Sequence, residues 1–185
     1  MMRKRLLLWM VAGWMLASMA WAQEPDWRAK LAGAMPLMGH RNWVLVVDSA
    51  YPLQSSPGVE TIETGRPMGE VLATVLETIS RAPHVRPDLF MDEELKYVPE
   101  ADAPGVTHYR EEIAGVLHGE PVQSMLHEKL IAQVGAAGAS FHVLVLKTTL
   151  TIPYSSVFLR LNCRYWSDEA EARMRARMEK TGNRK

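Results

Sequence analysis

The chain has 185 residues, 21 basic and 21 acidic side chains, and one cysteine. The even charge balance leaves no basic field for nucleic acid, and a lone thiol excludes an intramolecular disulfide scaffold. This length suits one domain with a real core and room for a short appendage.

At the N-terminus, Met1-Met2-Arg3-Lys4-Arg5 precedes a largely apolar run from Leu6 to Met19, then Ala20-Trp21-Ala22 and the polar Gln23-Glu24-Pro25. Basic, apolar and small-residue regions in that order read as a secretory signal at residues 1–22, cleaved after Ala22. The competing reading is an uncleaved anchor, because Leu6 to Ala22 falls only slightly short of the roughly 20 apolar residues that span a bilayer. Cleavage removes three basic and no acidic residues and leaves a net charge of about −3. An exported protein, periplasmic or secreted and free of the membrane after cleavage, is expected.

Residues 27–38 read as a short helix broken near Pro36, after which Gly39-His40 turns the chain into Trp43-Val44-Leu45-Val46-Val47. A continuous apolar run suits a strand buried on both faces of a parallel sheet. A Ser/Pro/Gly loop leads to a second strand at 59–63. Val71, Leu72, Val75, Leu76 and Ile79 then mark one buried helix face, ending before Pro83. Leu89-Phe90-Met91 suggests a strand, against which Pro87 argues. Tyr109, Ile113 and Leu117 repeat at helical spacing, and residues 122–126 precede a helix from His127 to about Val134. Gly135 to Ala139 reads as a flexible connector, 141–146 and 156–164 as strands, and 148–155 as a polar loop between them. Cys163, in the last strand, is expected to be a buried structural thiol. Ser167 is a fitting N-cap for a charged helical tail over 167–185. Strands alternating with helices predict a three-layer α/β/α sandwich with a largely parallel central sheet, spanning residues 27–166.

The segment from Gly39 to Pro52 carries a His at the entrance of a buried strand and a carboxylate, Asp48, at its exit. Both are costly to bury unpaired. Taken alone, the pattern fits a cap and a turn residue at least as well as a site. Its Gly-His turn, apolar strand and Asp48-Ser49-Ala50-Tyr51-Pro52, however, resemble the opening of the D-ribose pyranase and L-fucose mutarotase (RbsD/FucU-like) family. Val122-Gln123-Ser124-Met125-Leu126-His127-Glu128 resembles that family's later strand ending in His-Glu. Lys147 through Ser156 resembles its basic-Thr-Gly-Glu loop and Pro-Tyr-Ala-Asn sequence, followed by an apolar strand. The likeness spans about residues 34–166.

The resemblance implies an RbsD-like fold and a monosaccharide ligand, ribose- or fucose-like. By position, His40, Asp48, His127 and Tyr154 match the family's sugar-contacting residues, Lys147 stands where an Arg is usual, and Ser156 stands where an Asn is usual. Thr149-Leu150 replaces the Gly-Glu pair, and Gly135 to Ser140 looks like a small insertion. The implied activity is isomerisation between ring or anomeric forms. A base takes the anomeric hydroxyl proton and an acid protonates the ring oxygen, each worth typically about 10²- to 10⁴-fold. His40 and His127 are the candidate proton-transfer groups, with acid and base unassigned. Asp48 would hold sugar hydroxyls or orient a His, and Tyr154, Ser156 and Lys147 would add contacts.

If residues 40–48 were mostly extended, His40 and Asp48 would lie roughly 25 Å apart at about 3.3 Å per residue, too far for one sugar. Sites assembled between subunits of a homo-oligomer are therefore expected, and the resemblance implies a ring. His84, His108, His118 and His142 lack ligand spacing, so no metal and no cofactor are expected. Neither a hydrolase nucleophile elbow nor a phosphate-binding loop is present. The competing functions are a non-catalytic sugar binder and an envelope-associated oligomer.

Overall fold

The computed structural model describes residues 26–182; the signal segment expected at 1–22 lies outside them. Five α-helices and six strands follow in the order α1 (Trp27–Ala34), β1 (Trp43–Val47), β2 (Val59–Glu63), α2 (Met68–Arg81), β3 (Val85–Asp92), α3 (Val106–Leu117), β4 (Val122–Met125), α4 (His127–Gly138), β5 (Val143–Lys147), β6 (Val157–Cys163) and α5 (Asp168–Gly182). Two short 3₁₀ turns, Met35–Leu37 and Glu93–Tyr97, complete the list. No described helix is long and apolar enough to cross a membrane.

The strands form one sheet in the order β2-β5-β1-β6-β3-β4. β1 and β2 flank β5 in parallel, and β4 runs parallel to β3. β6 alone is reversed, antiparallel to both β1 and β3. All five residues of β1 are buried, as continuous hydrophobicity requires of a central strand covered on both sides.

Alternation along the strands divides the core in two. Val44, Val46, Leu144, Leu146, Val157 and Leu159 pack with α1, α2 and α3 on one face. Trp43, Leu45, Val47, Val143, Val145 and Phe158 pack with Leu130 and Val134 of α4 on the other. This is the expected α/β/α arrangement, three helices on one face and one on the other.

Three local expectations change. The connector foreseen at Gly135–Ala139 is instead the last turn of α4, which runs to Gly138. Gly58 N–H donates to the Gly138 carbonyl at 2.9 Å, and a Cβ on Gly138 would lie 2.6 Å from Val59 Cγ2, so these glycines permit close packing rather than a break. Pro87 sits inside β3, but β4 pairs only with Leu89–Asp92. The sheet is therefore an edge at Pro87, where a residue without an N–H is tolerated. Cys163 ends β6 opposite Val85 and is half-buried rather than buried.

Candidate functional site

Because β6 runs against its neighbours, its first residue lies at the same rim as the last residues of β1, β3 and β5. Polar groups collect along this rim, just outside the carboxyl ends of the parallel strands, where open α/β sheets usually bind ligands. Asp48 follows β1, Asp92 ends β3, His127 follows β4, Lys147 ends β5, and Ser156 precedes β6.

Asp48 is fixed from two sides. Its Oδ1 accepts the Ala50 N–H at 2.8 Å, and its Oδ2 accepts the Ser156 hydroxyl at 3.3 Å. The loop beneath is tied down by Thr148, whose N–H and hydroxyl both donate to the Val47 carbonyl. Lys147 Nζ donates to the Tyr51 carbonyl at 2.9 Å, so its ammonium braces the segment after Asp48.

His127 is the first residue of α4. Its backbone N–H donates to both Glu94 carboxylate oxygens at 3.1 Å, which places an anion at the positive end of the helix. Its ring Nδ1 lies 3.1 Å from Asp92 Oδ1. Nε2 has no hydrogen bond among the described residues. Tyr154 stands edge-on to the imidazole with ring centroids 5.5 Å apart, and does so from a left-handed backbone with φ of 56°. Such a conformation is uncommon for a bulky residue and costs of order 1–3 kcal/mol, so the loop must hold it. Ser155 supplies part of that hold, because its carbonyl accepts the phenol of Tyr109 from α3.

The Asp92 side chain is fully buried, and its Oδ2 has no hydrogen-bond partner. Burial pushes its pKa up to about 6, against the pull of the His127 imidazole, with Glu94 and Asp48 adding to the rise. Tyr51 is also buried nearby; desolvation, followed by the charges of Asp92 and Asp48, raises the pKa of its phenol.

Within one chain, then, Asp48 and Ser156 meet directly, His127 and Tyr154 meet directly, and Lys147 joins through Tyr51. His40 does not join them. It lies in the exposed turn before β1, at the opposite end of that strand. The turn, closed by Asn42 N–H to the Gly39 carbonyl and by Gly39 N–H to Asn42 Oδ1, shortens the extended path but leaves all of β1 between His40 and Asp48. Sequence reasoning missed Asp92 and Glu94. The signal was present, since Leu89-Phe90-Met91 ends in a carboxylate just as Trp43–Val47 does.

The chain belongs to the RbsD / FucU transport protein family, whose sequence model matches residues 27–164. No curated protein sequence matches it significantly. Among solved structures it is similar to Bacillus subtilis RbsD complexed with D-ribose, with 13% identity and a TM-score of 0.52, covering 72% of this chain and 92% of that one. It is also similar to FucU from Bifidobacterium longum, with 16% identity and a TM-score of 0.53, covering 72% of this chain and 94% of that one. At these identities the likeness is one of fold.

Proposed function

We propose that this protein binds a monosaccharide, ribose- or fucose-like, and interconverts its ring or anomeric forms as a mutarotase or pyranase. The observation that carries this reading is the gathering of two pairs at one rim of the sheet, the His127 imidazole with the Tyr154 ring and the Asp48 carboxylate with the Ser156 hydroxyl. Family membership supports it. Asp48, already held by Ala50 and Ser156, is preset to accept sugar hydroxyls without rearranging. Tyr154 offers both an aromatic face and a hydroxyl. Lys147, engaged by the Tyr51 carbonyl, acts by shaping this wall as much as by touching the sugar.

Ring opening needs two proton transfers: one from the anomeric hydroxyl as the bond from C1 to the ring oxygen breaks, and one to the departing ring oxygen. Reclosure after rotation about C1–C2 gives the other anomer, and attack by a different hydroxyl gives the other ring size. His127 carries one transfer. We assign the other to His40 of a neighbouring copy, because β1 separates His40 from the remaining groups of its own chain. The enzyme is thus read as a homo-oligomer, exported after cleavage at Ala22, with residues 27–166 as its sugar-binding domain and 167–185 as a tail.

Exchange between anomeric NMR signals of D-ribose and L-fucose tests the reading. The purified protein should accelerate exchange with at least one of these sugars, and His127→Ala should lower the acceleration at least about 10²-fold. Binding without accelerated exchange would make the protein a sugar binder only; no binding would remove the carbohydrate assignment. Mixing His40→Ala with His127→Ala chains should restore part of the activity if sites are shared between copies.

A further inference from the structure

We infer that Asp92 is a positioning residue that fixes the protonation state of His127, keeping the proton on Nδ1 and leaving Nε2 as the base that opens the sugar ring. The inference rests on the isomerase reading above and adds to it the direction of proton transfer.

A neutral imidazole has one donor and one acceptor nitrogen, and the partner of one nitrogen decides the state of the other. Here Nδ1 faces a carboxylate oxygen at 3.1 Å, while Nε2 has no hydrogen bond among the described residues. An ionised carboxylate only accepts, so it selects Nδ1–H and leaves a lone pair on Nε2. The ring is also held at its root, because Glu94 grips the backbone N–H of the same residue through both oxygens. Tyr154 stands edge-on at 5.5 Å and restricts rotation of the imidazole. Asp92 itself is fully buried at the end of β3 and acts only through His127.

In the step that follows, Nε2 takes the anomeric hydroxyl proton. The electron pair of the O–H bond becomes the new C1=O bond, and the pair of the bond between C1 and the ring oxygen leaves on that oxygen. The ring oxygen takes a proton from the second acid/base group or from water. The imidazolium so formed lies against the Asp92 carboxylate, and its positive charge is stabilised as it develops.

Asn and Leu at position 92 separate geometry from charge. Asp92→Asn keeps an acceptor for Nδ1–H but no charge, so the nitrogen-15 shifts of His127 should stay those of the Nδ1–H form while kcat for D-ribose or L-fucose exchange falls about 10-fold. Asp92→Leu removes both; the shifts should move toward the Nε2–H form and kcat should fall about 10²-fold. KM should change less than about 2-fold in either variant, as expected of a group that does not touch the sugar. Unchanged shifts in Asp92→Leu, or wild-type kcat in Asp92→Asn, would overturn the inference. If the wild-type protein exchanges neither sugar, the isomerase reading falls, and the nitrogen shifts alone still decide whether Asp92 sets the tautomer.

Discussion

At the scale of single residues, the rim is expensive to maintain. Asp92 is buried with one oxygen unpartnered, and its pKa of about 6 means that the folded protein holds this proton more tightly than an unfolded chain, whose ordinary value is 3.8. A raised carboxyl pKa contributes stability that is present below pH 4 and lost as pH rises through 6. The shift corresponds to about 3 kcal/mol between those limits. Urea unfolding should therefore show Asp92→Asn gaining about that much relative to wild type between pH 4 and pH 8, the slope being the test rather than the offset. Activity should run the other way. The ionised carboxylate is the form that supports a basic Nε2, so exchange should rise with pH across about 6 and flatten above it. Only part of this was legible in the sequence. Asp48, His127, Tyr154, Ser156 and Lys147 were visible through spaced blocks, whereas Asp92 has its partner 35 residues away and no local pattern announces a pair closed by tertiary structure.

Elements were more legible than contacts because periodicity reports burial directly. The five-residue apolar run became β1 with every position buried, and the spacing of Val71, Leu72, Val75 and Ile79 became the inner face of α2, each fully buried, with Leu76 only half-buried at its margin. Leu72→Ala should therefore cost about 2–5 kcal/mol by chemical denaturation. The end of α4 was misread because Gly-Ala-Ala-Gly carries no periodic signal, and small residues mean a flexible link in one context and a close approach in another. Here it is the latter, since a side chain on Gly138 would run into Val59. Gly138→Val should destabilise the fold by about 1–3 kcal/mol, and calorimetry would register this as a lower Tm.

The whole molecule was legible as a layered α/β fold, but its sheet order was not. Nothing in an apolar strand states its direction, and the reversal of β6 rests on its joining β5 by a short loop rather than a helix. That reversal carries the chain away from the rim, so α5 starts beyond Cys163 near the beginning of β3. Most of α5 is exposed, with only Ala170, Glu171 and Met174 half-buried among its described side chains. Ending the chain after Trp166 should thus change stability by no more than about 0.5 kcal/mol, a Tm shift of about 2 °C or less.

The direction of that last strand also bears on how the molecule can be handled. A carrier, dye or solid support attached at Ser167, exposed just beyond the far end of β6, sits at the end of the sheet away from the rim and leaves His127 unobstructed. His40 lies at that same end, so under the proposed sharing of sites a small graft there should leave exchange activity unchanged while a bulky one should lower it.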